Sequence, residues 1–383
     1  KQLVLSYRGM ISSIGVEVSV TRATTDTCNI ANKIFTMPNG VPCINADGLA
    51  VYSAATNQSL RSDELDNAAW ASIGTPTMTA NDATLATTTI YDDGGNVADR
   101  LGDDDAAAAE GKKFTCGTAA ATYVGSCYFE QGTGSSATIR FVVTGGTGTA
   151  SREWTNLPAN LGDLGACGTT GCTGGGEAAA NSRRYFSVVA GVGATLVEME
   201  VYAGRRGTVA DAVNVGVIGC QCEAGTAPTS IIRTAGSATT RNVQNTNFAT
   251  AGHLNDSSGQ VCATVAFPSE WENAAGATRT VVGLDAAAMV RVGASTSLRV
   301  EDGTNAVVAT TLAFPGNSRR LCGSWSTGGR LFGMEVGQTV ANAAYDNTMT
   351  ATTTYLGSLS GTGNFLQAHL RDVKFCRMAW GCE

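Results

Sequence analysis

The residues of this 383-residue chain whose types could do chemistry are two histidines, twelve cysteines, five tryptophans and a set of clustered aspartates. His253 sits in Ala251-Gly252-His253-Leu254-Asn255, and His369 opens the run His369-Leu370-Arg371. A Ser/His/Asp or Cys/His centre needs a histidine held beside a nucleophile and oriented by a third group. Neither histidine has such a set around it, and G-x-S-x-G, phosphate-loop and H-E-x-x-H patterns are missing. Neither histidine is therefore read as catalytic, and the protein is read as a non-enzyme. The acidic set is Asp92-Asp93, Asp99 and Asp103-Asp104-Asp105. Glycoside hydrolysis needs two carboxylates facing each other across a cleft, and this set reads instead as a solvated loop. Its hard oxygen ligands also suit Ca²⁺, although the spacing is not that of an EF-hand loop. No other cofactor is expected. Sugar binding uses exposed aromatic rings, and Trp271, after Phe267-Pro268-Ser269-Glu270, is the residue best placed for glycan contact.

The cysteines are not in zinc-type CxxC pairs, and the histidines are far apart. An even count in a glycine-rich chain favours disulfides and an oxidising location; free thiols buried in strands are the other reading. Cys28 and Cys43 flank Met37-Pro38-Asn39-Gly40, a turn sequence that brings two arms together. They are expected to form a disulfide with a Cα separation near about 5.5 Å. Cys220 and Cys222 lie two apart on one extended run, so they share a face and should seek different partners. Cys116 and Cys127 are a further candidate pair from neighbouring strands.

These residues need elements to hold them, and the composition says which. Only 15% of residues are charged, 47 are Gly, and the net charge is −7. Short β-branched runs separated by Gly, Asn, Asp, Ser and Thr dominate, and amphipathic helical patterns are missing. That is an all-β protein of sandwiches or barrels, long enough for two or three domains. Nucleic acid is excluded as a partner for want of clustered Lys and Arg. A membrane span is excluded because no run of 18 apolar residues exists. Lys1 in place of Met reads as a removed leader or a piece of a longer chain. Leu3-Val4-Leu5-Ser6-Tyr7 reads as an ordinary edge strand of the first domain, or as one that pairs with another chain.

The stretch Gln221-Cys222-Glu223-Ala224-Gly225-Thr226-Ala227-Pro228-Thr229-Ser230-Ile231-Ile232-Arg233-Thr234, running on to Thr240-Arg241, is a strand, a Gly/Pro turn and a second extended run. It resembles the Q-L-E-x-G-x-x-P-T-S-Y-I-P-T … T-R signature of a jelly-roll module in bacteriophage tail-fibre and appendage proteins. Cys222, Ile231 and Arg233 stand where that signature has Leu, Tyr and Pro. Upstream, Thr21-Arg22-Ala23-Thr24, Asp47-Gly48-Leu49-Ala50-Val51-Tyr52 and Thr56-Asn57-Gln58-Ser59-Leu60-Arg61-Ser62 resemble the lead-in to the same module. Leu65-Asp66-Asn67-Ala68-Ala69-Trp70 and Tyr123 to Gly132 follow in the family's order. Downstream, Gln260 to Phe267, Arg320 to Trp325 and His369 to Cys376 resemble a concanavalin A-like (laminin-G-like) sandwich.

The resemblance implies three parts: an N-terminal arm or small subdomain at 1–62 lying along the first sandwich, a carbohydrate-binding-module-like jelly roll at 63–241, and a concanavalin A-like domain at 242–383. It implies core roles for Trp70 and Trp325, and Cys262 bonded to Cys376 if the first and last strands of the C-terminal sandwich pair. It also implies a non-enzymatic protein of the virion surface (tail fibre, appendage or capsid decoration), assembled from copies of itself as a trimer or filament. Its partners would be other virion or surface proteins and cell-surface glycans. The alternative is a secreted filament or adhesin subunit of a bacterium or archaeon, an extracellular location in either case.

Overall fold

The computed structural model describes residues 3–4, 19–30, 33–45, 48–82, 84, 91, 98–104, 108–134, 136–145, 150–154, 173–176, 183–204, 213–225, 228–249, 258–266, 279–284, 288–292, 298–302, 306–308, 319–326, 330–335, 338–343, 353–358, 366 and 368–376. Among them there is no helix; the chain is all-β. It divides into two compact units. One holds Asn32–Thr36 and Ala55–Arg241; the other holds Lys1–Ala31, Met37–Ala54 and Asn242–Glu383.

The unit built from 55–241 is a sandwich of two antiparallel sheets. The six-stranded sheet runs Thr173–Gly176, Arg183–Val189, Thr122–Gln131, Val213–Ala224, Asp99–Asp103 and Thr77–Thr79. The five-stranded sheet runs Ala150–Trp154, Ala137–Thr144, Leu196–Ala203, Gly111–Gly117 and Ala71–Ile73. Alternation along each strand decides what enters the space between them. On Leu196–Ala203, Val197, Met199 and Val201 are fully buried in the core beside Phe129, Phe141 and Phe186. Glu198 and Glu200 take the opposite face, where Lys113 meets Glu198 at 3.0 Å and Arg140 meets Glu200 at 2.7 Å. Trp70 closes one part of this core: it is 1% exposed, its ring packs on Phe114 at 4.6 Å, and its Nε1 donates to Arg61 O at 3.1 Å.

The other unit also has two sheets. The first runs Gln338–Ala343, Arg330–Glu335, Arg319–Ser326, Ser258–Ala266, Ala368–Cys376, Gly48–Val51 and Ile44–Asn45, with Leu3–Val4 also paired to Ala368–Cys376. The second runs Ser19–Thr21, Asn245–Ala249, Thr353–Leu356, Arg279–Gly283, Ala288–Val292, Leu298–Asp302 and Ala306–Val308. Phe248 of the second packs on Phe375 of the first at 5.2 Å. Gly259 stands opposite Trp325, and a Cβ there would lie 2.4 Å from the indole, so the ring lies over the glycine.

The N-terminal arm departs from expectation. It is divided between the two units: Asn32–Thr36 and the segment from Ala55, whose Ala55–Asn57 strand pairs with Thr239–Arg241, belong to the first sandwich's unit, and the rest to the C-terminal one. Gly48–Val51 pairs with Ala368–Leu370, and Ser19–Thr21 pairs with Asn245–Asn247, so these segments are strands of the C-terminal unit's own sheets. Leu3–Val4 likewise pairs with Lys374 and Phe375, not with the first domain. The cause lies at Arg22. Its guanidinium is buried and donates to Gln244 Oε1 at 2.7 Å, Pro38 O at 3.0 Å, Val41 O at 3.1 Å and Thr24 O at 2.8 Å. A buried guanidinium must place its donors: Thr24, Pro38 and Val41 supply acceptors from within the arm, and Gln244 supplies the one that ties the arm to the C-terminal segment.

Candidate functional site

The polar residues that carry the sequence signature converge on a buried seam outside the jelly-roll core. Its geometry begins with a bulge. Ser126 pairs with Gln221 and Tyr128 with Ile218, so Cys127 alone faces Gly219 and Cys220. Gly219 takes a left-handed φ of 64°, the conformation such a bulge requires. The extra residue resets the alternation. Val217, Cys220 and Cys222 point into the core, while Ile218 and Gln221 point to the other face.

On that other face Gln221 Oε1 accepts the Ile232 N–H at 2.6 Å, and its Nε2 donates to Glu223 Oε1 at 2.6 Å. Glu223 receives Thr229 twice, from N–H at 2.6 Å and from Oγ1 at 2.8 Å. Arg183 donates to Thr229 O and, through Nη2, to Ser126 Oγ at 2.7 Å. Asn57 joins the strand to the returning chain. Its Nδ2 donates to Ile232 O at 2.8 Å and Cys220 O at 3.3 Å, and its Oδ1 accepts Cys222 N at 3.0 Å. Ser62 and Thr234 exchange bonds, Ser62 N to Thr234 Oγ1 and Thr234 N to Ser62 Oγ, both at 3.0 Å. Arg233 pairs with Asp63 at 2.9 Å and lies 4.1 Å over the Tyr91 ring, whose hydroxyl donates to Asp63 at 2.6 Å. Burial and the Asp63 charge raise the Tyr91 hydroxyl well above the usual tyrosine range. Arg241 donates to Ser230 Oγ.

Each of these polar groups is spent on the protein's own backbone or side chains. The seam is a latch that fixes the exit of the chain from its last strand. Asn57, Asp63 and Arg183 were not among the residues singled out from the sequence as candidates. Asn57 lay inside the quoted lead-in and gave no sign of its partners. Arg233 in place of the signature's second Pro acquires its reason here, the ion pair to Asp63.

The other expected site residues scatter. Cys28 and Cys43 are bonded, with Cα atoms 5.2 Å apart. Cys116 and Cys127 are not a pair: they lie on opposite sheets, and Cys116 bonds Cys222 across the sandwich while Cys127 bonds Cys220 on the adjacent strand. Cys262 bonds Cys322, not Cys376. The first and last strands of that sandwich do pair, but Cys262 faces Lys374 there, whereas Cys322 stands directly opposite it on the other side. His369 is half-buried, 3.4 Å from Asn45 Nδ2 and edge-on to Tyr52. Asp99 is buried and accepts the N–H groups of Asn81 at 2.9 Å and Asp66 at 3.2 Å. Burial outweighs those bonds and pushes its carboxyl up to about 6. Asp103 accepts the Glu110 N–H at 3.2 Å and Asp104 is exposed. Among the described residues no three acidic, His or Cys groups converge as a cation site. Asp92, Asp93, Asp105, His253 and Trp271 lie outside the described residues.

Among the described residues, disulfides in both units, Cys28–Cys43, Cys116–Cys222, Cys127–Cys220 and Cys262–Cys322, mark an extracellular or secreted protein. Among the described residues no helix is long and apolar enough to cross a membrane. No family model and no curated protein matches the chain. Among solved structures, domains LG4-5 of the mouse laminin alpha1 chain, a concanavalin A-like tandem, are weakly similar: 10% identity over 85% of this chain and 88% of that one, with a TM-score of 0.22.

Proposed function

We propose that the chain is a non-enzymatic structural protein of an extracellular assembly, a bacteriophage virion-surface subunit such as a tail fibre, appendage or capsid decoration. The observation that supports this reading is the latch. The residues that carry the phage-type signature are buried and satisfied within the chain, so their role is to hold shape. Disulfides in both units fit a particle exposed outside the cell. Such a subunit works through copies of itself and through contacts with surface proteins or host glycans. A secreted filament or adhesin subunit is the second reading, favoured by the same disulfides. Light scattering on the purified chain tests the assembly: a discrete oligomer or filament supports it, and a monomer at micromolar concentration counts against it. A polysaccharide screen that detects hydrolysis would overturn the non-enzymatic reading.

A further inference from the structure

We propose that Thr229 and Gln221 condense into an intramolecular ester, a covalent cross-link between the last jelly-roll strand and the segment that follows it. The inference goes beyond the structural role above and does not depend on assembly. Gln221, Glu223 and Thr229 are 0%, 1% and 5% exposed, so the reacting groups meet in a dry pocket. Thr229 Oγ1 donates to one Glu223 oxygen at 2.8 Å, and Gln221 Nε2 donates to the other at 2.6 Å. The hydroxyl oxygen stands 3.5 Å from that same nitrogen. Gln221 Oε1 accepts the Ile232 N–H at 2.6 Å. These are the parts of an acyl transfer: a nucleophile on its base, an acyl group with its leaving nitrogen on the same base, and a donor where negative charge develops.

The step balances within the site. Glu223 takes the Thr229 hydroxyl proton as Oγ1 bonds to Gln221 Cδ. The carbonyl electron pair moves onto Oε1, held by the Ile232 N–H. On collapse the Cδ–Nε2 bond breaks, Glu223 returns the proton to nitrogen, and ammonia leaves. No oxidant, reductant or water enters, and Glu223 is regenerated. One motion is needed. Oγ1, 3.5 Å from Nε2, has to close on the adjoining Cδ, and we assign this closure to a small turn of the Thr229 and Gln221 side chains. Arg183, bound to Thr229 O and Ser126 Oγ, holds the threonine backbone still as this happens. Exclusion of water protects both the intermediate and the ester.

A hydrogen-bonded latch and an ester differ by one ammonia, so the intact mass of the full chain, unfolded and with disulfides reduced, decides. The expected mass is about 17 Da below that of the sequence, the loss that ester formation from an amide requires. Fragmentation should join the peptides holding residues 221 and 229. Thr229→Ala and Glu223→Gln should each restore the full mass. The full sequence mass in folded wild-type protein overturns the proposal, whatever the variants do. So does a loss that survives Thr229→Ala, as a succinimide at Asn39-Gly40 would.

Discussion

Gly219 and Cys127 face each other across a bulge, with φ at Gly219 of 64° and Cys127 bonded to the next residue, Cys220. Without the extra residue, Gln221 would turn into the apolar core and Cys222 away from Cys116. A Cβ at 219 would also lie 3.1 Å from the Tyr91 hydroxyl and 3.2 Å from the Tyr128 ring. Gly219→Ala is expected to destabilise the jelly roll by about 1–3 kcal/mol, read as a shift in its denaturant midpoint. An unchanged midpoint would mean that the bulge is not held at this residue.

Asn57 is fully buried and bridges Cys220, Cys222 and Ile232. Asn57→Ala strands the Cys220 and Ile232 carbonyls and the Cys222 and Ser59 amides in the seam, at a cost of about 2–4 kcal/mol. Asn57→Asp should cost more, since it sets a charge against two carbonyl oxygens. Equilibrium unfolding of the two variants checks both the size and the order.

The acidic set has a pH signature. Asp99 carries a folded value of about 6 against an ordinary 3.8. A raised carboxyl binds its proton more tightly in the folded state, so ionisation costs stability. That cost is fully present above about pH 6 and fades as pH falls toward the unfolded value near 4. Asp82 and Glu110 run the other way: hydrogen bonds from Thr84 and Thr75 respectively hold their carboxyls below the usual range, so their contribution is lost in acid. Comparison with Asp99→Asn isolates the first effect. Wild type should gain on the variant as pH falls from about 7 to about 5, in thermal melts at each pH. A difference independent of pH in that window would contradict the assignment.

The disulfides should differ in weight. Cys116–Cys222 and Cys127–Cys220 are nested and close one long loop, with separations of 106 and 93 residues, while Cys28–Cys43 closes one of 15. Either nested bond keeps the long loop closed, so its weight shows only when both are replaced. Chain entropy assigns the long loop about 5 kcal/mol and Cys28–Cys43 about 3 kcal/mol. Replacing both nested pairs by Ala should destabilise their unit by more than replacing Cys28–Cys43 destabilises the other, in denaturant titrations that follow each unit separately. Equal losses would place the effect in the folded state instead.

The sequence by itself determined the fold class, the extended runs and the turns, because alternation and glycine-rich punctuation are local. Val197, Met199 and Val201 could be seen to share a face before any partner was known. The Cys28–Cys43 pairing was legible for the same reason: a turn lies between the two residues. It also showed that Cys220 and Cys222 need different partners. It did not show that Cys116 and Cys127 sit on opposite sheets, or that Cys262 faces Cys322, because cross-strand register is a property of the sandwich and not of either strand. The arm's attachment was hidden likewise. Arg22 reads as one charged residue in Thr21-Arg22-Ala23-Thr24, and the acceptors that let it be buried, Pro38 O, Val41 O and Gln244 Oε1, are brought to it only by folding. The latch carries the same lesson: Gln221, Glu223 and Thr229 look like solvent-facing polar residues in sequence, and tertiary structure buries them by returning the chain over its own last strand.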